Sequence, residues 1–161
     1  MEIRIDPLTD GRVIALLEEH LAHMQEITPA EHVFALDVER LRGPGITFYT
    51  VWEGETLLGC GALKELSATE GEVKSMRTPR AARRQGAGRA VLLHILEESR
   101  RRGYRRVYLE TGTHPEFGAS HALYRSVGFV GCGAFGGYRE SADNTFMVLE
   151  LEGGPPTPSG A

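Results

Sequence analysis

The sequence predicts an α/β fold built on a mixed, mostly antiparallel sheet of about six to seven strands flanked by about four helices. Three observations carry this expectation. Strand-like and helix-like patterns succeed one another in the order β-α-α-β-β-β-α-β-α-β-β. Residues 46 to 66 hold two β-rich runs joined at Gly54, the mark of a hairpin. A helical pattern over 86 to 102 lies between strand patterns at 72 to 78 and 107 to 111, which calls for one right-handed crossover and one parallel pair.

In chain order, Ile3 and Ile5 alternate with polar residues as in a short edge strand, and the stretch from Pro7 to Gly11 breaks the pattern. Val13, Leu17, Leu21 and Met24 recur at helical spacing, so residues 11 to 26 read as an amphipathic helix with His20 and His23 solvated. Thr28-Pro29-Ala30-Glu31 has the form of a capping box with proline at the first helical position, and predicts a second helix as far as Arg42. Gly43-Pro44-Gly45 ends it, and the hairpin follows. Glu70-Gly71 turns the chain into the strand at 72 to 78, whose pattern is interrupted by charges. The helix over 86 to 102 gathers Val91, Leu92, Ile95 and Leu96 on one face and is closed by Arg100, Arg101, Arg102 and Gly103. A strand at 107 to 111, a helix at 115 to 126 and strands at 129 to 135 and 145 to 151 complete the pattern. Residues 1 to 152 are expected to form a single domain, and 153 to 161, rich in Gly and Pro, a disordered tail.

Composition narrows the function classes. No apolar run approaches the roughly 20 residues of a membrane helix, and the first residues lack the basic-then-apolar form of a secretory signal, so a cytoplasmic protein without membrane attachment is expected. Cys60 and Cys132 stand far apart, which points to neither a disulfide framework nor a zinc site, and both read as small core residues. The net charge of −4 argues against nucleic acid as a partner, and no aromatic platform accompanies the basic residues. Those residues are nonetheless clustered: 11 of the 18 Lys and Arg fall within 74 to 106, against only Glu97 and Glu98. An anionic small ligand suits that segment.

The helix starting near Gly86 shows where such a ligand would bind. Its first amides have no intrahelical acceptor and carry partial positive charge, and Gly86, Ala87 and Gly88 remove side chains that would obstruct a pyrophosphate. Arg83, Arg84 and Arg89 add charge at the same point. A nucleoside-triphosphate loop is excluded because Gly-Lys-Ser and Gly-Lys-Thr do not occur. A dinucleotide fingerprint fails because Val91 takes the third small position and only one β-α-β unit is present.

Arg83-Arg84-Gln85-Gly86-Ala87-Gly88 resembles the Gln/Arg-x-x-Gly-x-Gly/Ala loop of the GCN5-related N-acetyltransferase (GNAT) superfamily. Val73-Lys74-Ser75-Met76-Arg77-Thr78-Pro79 is similar to that family's strand beside pantetheine, and Leu123-Tyr124-Arg125-Ser126-Val127-Gly128-Phe129 to its Leu-Tyr-x-x-x-Gly-Phe segment. The resemblance spans roughly residues 3 to 151. It implies acetyl-CoA as co-substrate, no metal, and direct transfer of acetyl to an amine. It further implies coenzyme contacts from Met76, Arg77, Thr78 and the run Arg83 to Arg89, with the Met76 amide serving the thioester oxygen. Tyr124 matches the tyrosine that acts as general acid, and Glu72 lies on the strand where some members carry a glutamate base. An asparagine common seven residues before the tyrosine is here Phe117, and Ser120 is expected to take part of its role.

The acceptor side is less defined. Glu110 ends a strand whose C-terminal end should face the cleft and is expected to bind the substrate amine, with His114 beside it and His121 as a further titratable group. Topology puts 28 to 42 and Glu65 near the acceptor. A small-molecule amine or amino acid is the default acceptor, with protein amines and a non-catalytic coenzyme-binding module as alternatives, and strand pairing in this superfamily makes a homodimer an open expectation.

Overall fold

In the computed structural model the residues described are 1–32 and 37–151. Seven strands form one sheet in the order β1-β2-β3-β4-β5-β7-β6. They are β1 (Glu2–Ile5), β2 (Ile46–Glu53), β3 (Thr56–Glu65), β4 (Glu70–Arg77), β5 (Arg106–Gly112), β6 (Val130–Cys132) and β7 (Asn144–Glu150). Every neighbouring pair is antiparallel except β4 with β5. That parallel pair is joined by α3 (Ala87–Arg101), the crossover expected from the sequence.

Two apolar layers sandwich the sheet. On one face α3 buries Val91, Leu92, Ile95 and Leu96 against Val51, Leu63, Val73 and Leu109, and α4 (Gly118–Val127) adds Tyr124. On the other, α1 (Gly11–Ile27) lays Val13, Leu16 and Leu17 over Phe48, Trp52 and Ala62. At about 1.5–3 kcal/mol for each fully buried large aliphatic side chain, these layers outweigh the helix caps, worth about 1 kcal/mol each, in fixing where the helices lie.

Several boundaries differ from the sequence expectation. Thr28 is not a helix start; it is buried in extended geometry as the C-cap of α1, because the following Pro29 disfavours helical geometry at the residue before it. The helix expected over 28 to 42 falls partly outside the described residues. At its described ends stand a 3-10 turn (Ala30–His32) and the short α2 (Val38–Leu41), capped by Asp37, whose side chain accepts from the Arg40 amide at 2.9 Å. The strand expected at 129 to 135 is only three residues long, since past Gly133 Phe135 turns to stack on Tyr108 at 4.7 Å. The helix expected from 115 begins as a 3-10 turn (Pro115–Phe117) before α4. Cys60 is buried as expected, whereas Cys132 is half-buried beside the sheet edge. The expected tail at 153 to 161 lies outside the described residues.

Candidate active site

The site begins with an irregularity in β4. Cys60 and Ala62 of β3, two residues apart, face Arg77 and Lys74 of β4, three apart, so β4 carries an extra residue. Ser75 has the left-handed φ of +56° there, and its carbonyl accepts from Cys60 Sγ at 3.3 Å. Beyond this bulge β4 leaves its parallel neighbour. The two pair from Glu70 with Arg106 only as far as Val73 with Leu109, while β5 stays paired to β7 through Gly112 with Asn144. The sheet therefore splits into a wedge, and a cleft of about 790 Å³ fills it.

One end of the cleft is the start of α3. Gly86 caps the helix in left-handed geometry (φ +82°) with no side-chain bond, which leaves the first amides open to a ligand. Arg83, Arg84, Gly86, Ala87, Gly88 and Arg89 line this end, together with Met76 and the backbone of Arg77 at the end of β4, Thr78 just after it, and Ser120 of α4. Arg89 Nη1 also donates to Ser126 Oγ at 3.1 Å, which ties α3 to α4. Gln85 is exposed and does not line the cleft. Phe117 does; a Cβ on Gly112 would stand 2.3 Å from its ring, so the missing side chain of Gly112 lets the ring close against β5.

Tyr124 and Glu110 lie deeper. Tyr124 is buried edge-on against Phe129 at 5.9 Å, and burial with the nearby Glu110 charge pushes its hydroxyl well above the usual tyrosine range. Burial likewise pushes the Glu110 carboxyl up, opposed by a hydrogen bond donated by Asn144 Nδ2 at 2.5 Å and by the Lys74 charge. One cleft thus holds a hydroxyl that keeps its proton and a carboxyl of raised basicity.

The other predicted residues are engaged elsewhere. Glu72 is 2% exposed and absent from the cleft wall; its Oε2 accepts from Lys74 Nζ at 3.1 Å and Tyr138 hydroxyl at 2.7 Å, and Lys74, which does line the cleft, donates to Tyr138 at 2.7 Å. His114 caps the 3-10 turn, its Nδ1 accepting from the Glu116 amide at 3.1 Å. The His121 ring is 2.9 Å from the Gly112 carbonyl. Glu65 accepts from Tyr104 hydroxyl at 3.0 Å, at the end of β3 that pairs with Gly71 and far along the sheet from the wedge.

The sequence reading misjudged the histidines that α1 contributes to the cleft wall. His20, His23 and Met24 are partly buried there, not solvated, and His23 bridges to Glu116 Oε2 at 2.8 Å and Arg77 Nη1 at 3.3 Å. The available signal was spacing: Val13, Leu16, Leu17, His20 and Met24 make one continuous stripe. Asn144 had no local signal, since its position against Glu110 depends on pairing between β5 and β7.

A split parallel pair, an uncapped helix start, and a tyrosine and a glutamate in the same cleft are the features of an acyl-coenzyme-A-dependent transferase. The family model described as Acetyltransferase (GNAT) family matches residues 13–129. The chain is 48% identical over 151 residues to an uncharacterised N-acetyltransferase of Bacillus subtilis, YsnE, covering 94% of this chain and all of that one. It is 44% identical to the uncharacterised N-acetyltransferase YedL of Escherichia coli (92% of this chain, 94% of that one), and 36% identical to a protein named IAA acetyltransferase in Azospirillum brasilense (92% and 95%). A GNAT family acetyltransferase from Elizabethkingia anophelis, solved with acetyl-CoA bound, shares the fold at TM-score 0.65 and 15% identity over 93% of this chain and 97% of that one. The chain belongs to the GNAT acetyltransferase family, enzymes that move an acetyl group from acetyl-CoA to an amine.

Proposed function

We propose that this enzyme acetylates the primary amine of a small molecule or amino acid by direct attack within a ternary complex. The observation that carries the reading is the joining, in one cleft, of the α3 start and the Tyr124–Glu110 pair. The residues fit the coenzyme: uncapped amides at Gly86 to Arg89 with Arg83 and Arg84 suit a pyrophosphate, and the backbone of β4 past the bulge, released from β5, suits the amides of an extended pantetheine arm. Bound acetyl-CoA supplies the activated acetyl thioester.

Glu110 is the residue we assign to the amine. Its carboxylate orients the incoming ammonium and accepts the proton the nitrogen must lose before attack, for which its raised basicity suits it; the second nitrogen proton, shed as the C–N bond forms and the C–S bond breaks, goes to the departing thiolate. Glu72, first choice from the sequence, is instead assigned a positioning role, because its oxygen is held by Lys74 and Tyr138. The Tyr124 hydroxyl donates to the departing sulfur. Since burial raises its pKa well above that of a thiol, about 8.5, it stays protonated throughout and acts chiefly by stabilising the developing thiolate.

Release of free coenzyme-A thiol across a panel of amines, amino acids and peptides tests the reading. Turnover with small amines is the expected result. Acetyl-CoA binding without turnover on any amine would leave a coenzyme-binding module, and turnover only on peptides would leave a protein acetyltransferase.

A further inference from the structure

Among the described residues, three buried side-chain atoms lack a hydrogen-bond partner, His20 Nδ1, Ser75 Oγ and Arg77 Nε, and all three side chains line the cleft. Buried polar groups left unpaired are rare and each costs about 1–3 kcal/mol, so three in one wall are expensive for folding alone. Their side chains belong to the α1 side of the wedge: His20 comes from α1, Ser75 is the bulge residue, and the Arg77 side chain reaches toward Glu19 and His23 although its backbone stands beside the start of α3.

We propose that these residues form a subsite for a carboxylate on the acceptor, so that the enzyme selects amines that also bear an acid group, as amino acids do; the inference rests on the acetyl transfer proposed above. Arg77 supplies the charge. Its contacts in the protein are weak, 3.3 Å to His23 Nδ1 and 3.3 Å to Glu19 Oε1, the latter from a largely exposed glutamate that screens it little. As the side chains now sit the three orphan atoms are closed off, and a ligand engages them by turning the Arg77 guanidinium and the His20 ring, which no short hydrogen bond opposes. One guanidinium beside a hydroxyl and an imidazole matches a single negative charge, whereas a phosphate dianion would call for a second free cation; the nearby Lys74 is already bound to Glu72. With Glu110 on the opposite wall, the cleft is negative where the amine reacts and positive at its α1 side.

The test compares each common amino acid with its carboxamide as acceptor in the thiol-release assay. Wild-type enzyme should prefer the free acid by about 10-fold or more in kcat/KM. Arg77→Gln should bring the ratio close to unity, with Arg77→Lys and His20→Phe intermediate. Ser75→Ala supplies a readout that a purely structural role would not give: removing an unpaired buried hydroxyl should raise the unfolding temperature while lowering the acid preference. Equal use of acid and amide by the wild type, or a ratio unmoved by Arg77→Gln and by His20→Phe, overturns the subsite. Should no amine be acetylated, the proposed activity fails separately, and calorimetric titration of the coenzyme-A-loaded protein with N-acetyl amino acids against their amides still decides. Binding of the acids alone, abolished by Arg77→Gln, sustains the subsite, and equal or absent binding of both overturns it.

Discussion

Lys74 Nζ lies 3.1 Å from Glu72 Oε2, and both side chains are buried on the face of β4 that Tyr138 covers. A buried pair of this kind contributes little net stability while intact, but removing one partner strands the other charge. Lys74→Met should therefore destabilise the protein by about 3–5 kcal/mol in urea unfolding, and Glu72→Gln combined with Lys74→Met by much less.

Tyr124→Phe removes the hydroxyl and leaves the ring against Phe129. Turnover number should fall by about 100-fold, the lower part of the range for losing one hydrogen-bond donor to a developing negative charge, with acetyl-CoA affinity by calorimetry within about 3-fold. Unchanged turnover would remove Tyr124 from the chemistry.

Glu110 gives a pH signature. Its carboxyl holds its proton to higher pH than an ordinary glutamate, so kcat/KM should rise with pH through that raised value. Glu110→Gln should abolish the limb together with most activity. The stability effect runs the other way. A carboxyl whose folded pKa is raised favours folding below its unfolded pKa, and that contribution is lost as pH rises through the folded value. Once ionised, Glu110 is thus a burden, and above its raised pKa the glutamine variant should melt higher than wild type.

His20 moves oppositely. Burial, with the Arg77 and His23 charges, lowers its imidazole from 6.5 to about 4, so its contribution to stability is present above pH 6.5 and is lost as pH falls from there toward about 4. Urea midpoints across that window should decline in wild type, and less steeply in His20→Gln.

Gly86→Ala tests the loop. Its Cβ would meet only Met1 Cε at 3.9 Å, so the penalty is the left-handed φ of +82°, about 1–2 kcal/mol. Either the helix start shifts and acetyl-CoA affinity falls, or the strain is absorbed and stability drops by that amount; binding and melting measured together separate the two.

Residues that act through local pattern were legible in the sequence. The stripe of α3, the glycines before it and the crossover between β4 and β5 all follow from spacing and turn chemistry within a few residues. Tyr124 could be put at the cleft because its segment keeps a recognisable order. What escaped depends on pairing across the sheet. Ser75 has no composition cue for a positive φ, yet its bulge decides where β4 and β5 part. Glu72 looked available because nothing near it in the chain reveals Tyr138, 66 positions away, taking its oxygen. Glu65 was put near the acceptor by topology alone, and the register with Gly71 puts it at the other end of the strand. The histidines of α1 were read as wet because polarity was weighed above their place in the apolar stripe.

The parting of β4 from β5 also makes an edge inside the sheet. Outer edges invite the strands of other molecules, but this one is walled by β5, α1 and α4 and admits only a slender, flexible guest. A guest that binds there completes the sheet and favours the folded chain by mass action. The melting point of this protein in a cell is therefore a gauge of how much coenzyme surrounds it.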